Sequence, residues 1–352
     1  MICLLKNKKK YILIFLIIIS LFIFSGCSDN NEELPQAESS AFMMDTLIKM
    51  RAHGENAEKA VDESMKRIKE IEDLMSKTIE SSEVYQINSN SGQKVNISDD
   101  TELVLEKSLY YAELTEGKFD PTVGRLVELW GIGTENAKVP TEEEINEALN
   151  YVGHNKLHLY EDQAMVEDEV ELDLGGIAKG YAADEVRRIS ENNNIPSAFV
   201  NLGGNVLVIG RKVDGTKWRV GIQDPRQGRG NVMAIIECED KTIVTSGNYE
   251  RYFEKDDTIY HHILNPDTGY PAQPGLLSVS IISENSFDAD ALSTSVFIMG
   301  LENGMNFIEN LDEVEVMFIT DELDVYLSSG LGSQVEITDD NFNLIEGENF
   351  AN

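Results

Sequence analysis

The sharpest chemical feature of the sequence is the heptad Asp288-Ala289-Asp290-Ala291-Leu292-Ser293-Thr294. On a helix, Asp290 and Thr294 stand four residues apart and share a face. A carboxylate beside a hydroxyl offers two hard oxygen donors. Mg2+ accepts such donors while keeping waters and taking phosphate oxygens from a substrate. Taken alone, the heptad is read more simply as a helix start, where Asp accepts backbone N–H bonds with no metal present. A second feature, Asp173-Leu174-Gly175-Gly176-Ile177-Ala178-Lys179-Gly180, joins a strand to a helix. Adjacent glycines let the backbone approach a ligand, a helix N-terminus presents free N–H groups to an anion, and Lys179 can reach a phosphate. A plain tight turn fits the same residues. Asn201-Leu202-Gly203-Gly204-Asn205 repeats the device after another strand. Ser246 to Phe253 (SGNYERYF) sets Arg251 among aromatics, where a guanidinium suits a planar ring or a phosphate. A β-turn and a surface arginine packed on tyrosine are the bland alternatives. His261 and His262 are neighbours on an expected strand and so point to opposite faces. One can serve a site while the other packs, and the pair cannot bind zinc together.

The elements that must position these groups follow from periodicity. Phe42–His53 is apolar and β-prone. Ala57, Ala60, Val61, Met65, Ile68, Ile71 and Met75 recur at helical spacing. A second helix is expected over Thr101–Glu116, and Thr141 with Glu144 forms a capping box for a third that runs to about Tyr151. Strands are expected near Lys156–Tyr160 and Met165–Leu174, then a helix over Ile177–Glu191. Residues 198–262 read as strand-rich. Helices near Asp290–Gly300 and Gly304–Leu311 precede strands at Val314–Thr320 and Asp324–Leu327. Helices and strands cluster in runs more than they alternate, so the class is α+β.

Composition bounds the partners. The 352 residues include 63 acidic and 29 basic side chains, a formal charge of −34. Such a chain repels a phosphate backbone, which excludes an electrostatic nucleic-acid binder. Lys6, Lys8, Lys9 and Lys10 precede an apolar run, Tyr11–Phe24, that is short for a membrane span, and then Ser25-Gly26-Cys27. This pattern resembles a lipoprotein signal peptide (residues 1–26) with Cys27 as the lipidated residue, although Phe24 departs from the usual Leu. The expected product is lipid-anchored on the extracytoplasmic side of the cell membrane. Cleavage removes four lysines and takes the charge to −38. Residues 27–40 read as an acidic tether, 41–335 as the folded domain and 336–352 as a loosely held acidic tail. Cys238, within an expected strand, reads as inert core.

In their order along the chain, these segments resemble the ApbE family of flavin transferases. The matching pieces are Gly117–Gly124 (GKFDPTVG) with Leu129-Trp130-Gly131, Asp173–Asp184 (DLGGIAKGYAAD) and Asn201–Asn205. To these add Ser246–Phe253, His261–Pro271 (HHILNPDTGYP) and Asp288–Thr294. The resemblance implies a T-fold-like α+β domain with antiparallel sheets and packed helices. It implies Mg2+, FAD as substrate, and transfer of FMN to a Thr hydroxyl of a partner flavoprotein with release of AMP. The expected acceptor is a redox-complex subunit or a secreted FMN-binding protein. Carried over by motif, Gly176, Asp290 and Thr294 hold the metal. Met44, Thr78, Lys118, Phe119, Asp120, Asp173, Lys179 and Leu264 meet FAD. His262 is the base or proton shuttle, with Asp290 also catalytic. Three positions depart from the pattern: Asp45 replaces a usual Gly, Thr78 an aromatic, and Asn265 an Asp. Two other readings share the motifs: an FAD pyrophosphatase with water as acceptor, and a lipoprotein that binds FAD without turnover.

Overall fold

The computed structural model describes residues 34–345 except Arg229. The expected signal peptide and Cys27 lie outside the described residues. Nine strands form one sheet: β1 (Gln36–Met43), β2 (Thr46–His53), β3 (Ser197–Leu202), β4 (Asn205–Gly210), β5 (Thr242–Gly247), β6 (Leu276–Ser283), β7 (Glu315–Thr320), β8 (Asp324–Leu327) and β9 (Asn343–Leu344). Each pairs with the next of these nine, antiparallel throughout except for the last, parallel pair. The helices are excursions between strands: α1 (Ala57–Met75), α2 (Glu83–Ser89), α3 (Asp99–Leu114), α4 (Gly124–Trp130), α5 (Glu142–Leu149), α6 (Ala178–Asn192), α7 (Ser286–Met299) and α8 (Leu301–Ile308).

Strand patterning reports which faces are covered. In β2, Thr46, Ile48, Met50 and Ala52 are buried while Leu47, Lys49 and Arg51 are exposed, so only one face is packed. Ile48, Met50 and Ala52 share the main core with Ala60, Val61, Ile68 and Ile71 of α1. Those helix positions are the ones the 3.6-residue period singles out. β6 is buried almost throughout, because a small sheet of Trp218–Gln223, Val232–Cys238 and Val335–Ile337 covers its other face. Cys238 is buried there, and burial pushes its thiol up to about 11. The charged face of α1 contributes as well. Arg67 bonds Asp100 of α3 at 2.6 Å and Glu185 of α6 at 2.7 Å, tying three helices together.

Several expected boundaries move. Phe42–His53 is not one strand but part of a hairpin, because Met44 and Asp45 take φ values of 50° and 57° and turn the chain. β1 begins at Gln36, so residues 36–40 are strand and not tether. They alternate exposed and partly buried on the sheet edge, which left no hydrophobic run to mark them. The strand expected over Met165–Leu174 lies at Gln163–Val166. The acidic tail is not loose through residue 345: Val335–Ile337 pairs with Ala234–Ile236, and Phe342 is buried.

The most consequential shift concerns α7, which starts one turn before Asp290. Asn285 caps it, accepting from the Asp288 N–H, and the Asp184 carboxylate of α6 accepts from Ser286 and Phe287 N–H at 3.0 and 2.9 Å. Burial pushes the Asp184 carboxyl up to about 6 despite these bonds. The start of α7 is therefore capped without Asp290, and the capping reading of that residue falls. α6 meets α7 at Gly180, where a Cβ would lie 2.4 Å from the Ser286 carbonyl oxygen and 2.7 Å from Asp290 Cβ. Gly180→Ala should accordingly cost about 1–3 kcal/mol in chemical denaturation, with the helices forced apart.

Candidate active site

Asp290 lies in the second turn of α7, and its side chain is 5% exposed. Its Oδ2 accepts from the Gly180 N–H at 2.8 Å, and Lys179 Nζ stands 4.0 Å away. Burial raises the carboxyl above its ordinary value against the pull of Lys179 and the Gly180 and Lys179 N–H groups. Thr294, one turn on, is the one hydroxyl of α7 without a hydrogen bond among the described residues. Ser286, Ser293 and Ser295 bond Asn205, Ser246 and Ala291 respectively. A Cβ on Gly176 would sit 3.4 Å from Thr294 Oγ1 and 3.3 Å from the Phe119 ring. Gly176, Asp290 and Thr294 thus come together, and their donors fit a hard cation: a disfavoured buried charge, an unpartnered hydroxyl and a backbone carbonyl. Among the described residues no three His, Cys, Asp or Glu side chains gather to form a metal cage. One carboxylate with neutral oxygens leaves most of a coordination shell to water and substrate, as Mg2+ prefers.

The other expected residues surround this centre through a chain of contacts. Asp173 accepts from the Gly175 N–H at 2.8 Å and pairs with Lys77 at 2.8 Å. Burial opposes its ionisation, but Lys77 and Gly175 outweigh it and hold the carboxyl below its ordinary value. Lys77 carried no sequence signal; it enters only through this pair and sits beside the exposed Thr78. Lys179 donates to the Gly175 carbonyl at 2.8 Å. Lys118 pairs with Asp267, which fastens the Phe119 segment to the loop after His262. Met44 donates its N–H to Glu72 at 2.6 Å, which anchors the β1–β2 turn to α1.

The two histidines divide as strand geometry requires. His261 is buried, with Nε2 2.7 Å from the Ala272 carbonyl and Nδ1 accepting from the Ile263 N–H, so both ring nitrogens are used in the core. His262 has an enclosed Nδ1 with no partner among the described residues. Its imidazole is pushed down to about 3, by burial first and then by the charges of Arg251, His261 and Lys179. It is therefore neutral at pH 7, with a free ring nitrogen.

Two expected residues turn away. Leu264 is buried in a small core with Leu126, Trp130, Ile145 and Ala148, so its side chain is not free to meet a flavin. Asp120 directs its carboxylate inward, accepting from Thr122 N–H and Oγ1 and from the His154 N–H. It shapes the loop, while its neighbour Phe119 reaches the site. The departures at Asp45 and Asn265 also resolve. Asp45 tolerates the left-handed turn that glycine would otherwise fill. Asn265 Oδ1 accepts from the Asp267 N–H at 2.9 Å, a turn role open to Asn and Asp alike.

A largely antiparallel sheet thus brings together, through its insertions, one buried carboxylate, a free hydroxyl and flanking lysines. The chain belongs to the ApbE family, whose model matches residues 44–318. It is 30% identical over 340 residues to an FAD:protein FMN transferase of Treponema pallidum, covering 91% of this chain and 94% of that one. It is 32% identical over 304 residues to one from Klebsiella pneumoniae, covering 85% and 93%. The crystal structure of the ApbE protein of Thermotoga maritima superposes with a TM-score of 0.79 at 36% identity, over 84% of this chain and 98% of that one. The flavin transferase ApbE of Vibrio cholerae gives 0.76 at 30%, over 85% and 98%.

Asp290→Asn removes the buried charge and keeps the shape. In EDTA the variant should melt no lower than the parent. Mg2+ at a hundredfold excess over Kd should stabilise the parent by about 2.7 kcal/mol and leave the variant unmoved. Equal responses to Mg2+ would remove Asp290 from the cation site.

Proposed function

We propose that this protein is an FAD:protein FMN transferase that uses Mg2+ and esterifies a Thr hydroxyl of a partner flavoprotein with FMN, releasing AMP. The observation that carries the cation part of this reading is the convergence of buried Asp290, unpartnered Thr294 and Gly176 beside Phe119. Bound there, Mg2+ would spread the negative charge that develops on a diphosphate as it is split.

The chain's own groups supply the rest. Asp290 and Thr294 would hold the cation from one helix face, and the Gly180 N–H fixes the carboxylate rotamer. His262 keeps a neutral imidazole that can take up the proton of the acceptor hydroxyl. The hydroxyl oxygen then forms the new bond to the FMN phosphorus, the P–O bond to the AMP phosphate breaks, and AMP leaves with that electron pair. An anionic diphosphate beside His262 favours the protonated ring and so lifts its basicity from the value that burial depresses. Water in place of the Thr hydroxyl would give free FMN and AMP by the same groups, which is the pyrophosphatase alternative.

We also propose that the protein acts from the extracytoplasmic face of the cell membrane, anchored through lipid on Cys27. The basic stretch, short apolar run and Ser25-Gly26-Cys27 support this reading. Two acyl chains suffice for stable anchoring where one does not.

Incubation with FAD, Mg2+ and an FMN-binding acceptor should raise the acceptor's intact mass by one FMN and make it fluoresce in a denaturing gel, with EDTA abolishing both. Free FMN and AMP without an adduct would replace the transferase with the pyrophosphatase. Intact FAD across a panel of acceptors would leave a binding protein.

A further inference from the structure

Arginines in this acid-rich chain are almost all neutralised. Seven of the nine described ones pair with carboxylates, among them Arg51 with Glu38 and Arg211 with Glu239. Arg187 donates to the carbonyls of Asp240 and Glu284. Arg251 is different. It is exposed, has no carboxylate partner among the described residues, and uses one N–H, at 3.2 Å, on the Asp45 carbonyl. A guanidinium has five N–H donors, so four remain. With acidic side chains in twofold excess, an arginine without one depends on where the backbone holds it.

The backbone holds it at the site. The Arg251 carbonyl accepts the His262 N–H at 3.0 Å, so the two residues are cross-strand neighbours at the base of the hairpin formed by Tyr252–Lys255 and Thr258–His261. The side chain crosses to the β1–β2 turn that carries Met44, and its Cδ lies 3.6 Å from where a Cβ on Gly133 would be. The other cations near the centre are engaged: Lys118 pairs with Asp267, Lys77 with Asp173, and Lys179 stands between the Gly175 carbonyl and Asp290. A dinucleotide diphosphate entering among Asp173 and Asp290 needs a positive charge that no carboxylate already holds.

We propose that Arg251 is the residue that binds the diphosphate of the dinucleotide substrate, its planar fork gripping phosphate oxygens while the Asp45 carbonyl and the His262 N–H fix its position. This rests on the reading of FAD as substrate. It assigns Arg251 a binding role set by phosphate, which makes it a determinant of dinucleotide against dephosphorylated flavin. A bidentate guanidinium also holds the diphosphate in one orientation, which a lysine ammonium does not.

The test compares three probes, FAD, ADP and riboflavin, titrated against the purified protein with Mg2+ by calorimetry and flavin fluorescence. Arg251→Gln should weaken FAD and ADP roughly 10- to 100-fold, the loss of a charge-assisted bond, and leave riboflavin unchanged. Arg251→Lys should recover part of that loss. Equal weakening of FAD and riboflavin would mean that Arg251 only braces the Met44 turn, and would overturn the proposal, as would unchanged affinity for FAD. If Arg251→Gln does not fold, Arg251→Lys decides through kinetics: KM for FAD should rise several-fold with kcat nearly constant, and an unchanged KM would overturn the proposal. Failure of the parent protein to bind FAD at all would instead sink the substrate assignment.

Discussion

Everything at the site depends on one carboxylate that the fold buries without neutralising it. Asp290 sits between α6 and α7 with an N–H from Gly180 and a lysine 4.0 Å away. Neither offsets the loss of hydration, and burial dominates its ionisation. Helix packing achieves this: with hydrogen alone at position 180, the two axes come close enough for a backbone dipole to reach the acid. The same contact closes with the Asp184 carboxylate on the first turn of α7. One face of α6 therefore both caps α7 and fixes the orientation of its acid.

The surrounding groups come from segments far apart in the chain, and the sheet brings them together. The β1–β2 turn contributes Met44 and Asp45; the excursion from β2 to β3 contributes Phe119, Asp173 and Gly176; that from β5 to β6 contributes Arg251 and His262; and α7 follows β6. Short polar links stitch these excursions to one another: Lys77 to Asp173, Lys118 to Asp267, Arg251 to Asp45 and Glu72 to Met44. Trp130 adds an indole N–H to the Gly269 carbonyl at 2.8 Å, which pins the loop that follows the histidines. Aligned electrostatic groups of this kind need rigid supports, and these links extend beyond each group's own segment.

Much of this is legible in the sequence, for reasons specific to each element. α1 announces itself because its buried positions repeat every three or four residues, and the Thr141–Glu144 capping box is present as read. The alternation rule for adjacent strand residues separates His261 from His262. The hairpin hidden in Phe42–His53 is not legible, since Met44 and Asp45 are not turn formers of the Asn-Gly kind and only their φ values reveal the reversal. The start of α7 escapes the heptad by one helical turn, because the true cap, Asn285, lies outside it and its helper Asp184 is about a hundred residues earlier. Leu264 and Asp120 sit inside motifs that do line the site. Membership of a motif fixes where the backbone goes, and each side chain then answers to its own neighbours.

The order of the strands has a temporal meaning. Because each of the nine pairs with the one before it, a polypeptide delivered from its N-terminus never has to wedge a strand between two already joined. It adds each to a growing edge. The two helices that meet at Asp290 are separated by β3 to β6 in that sequence of additions, with α6 made early and α7 late. A chain interrupted anywhere between α6 and α7 carries Gly180 and Lys179 but not Asp290, so the contact that buries this acid forms only after β6 has been made.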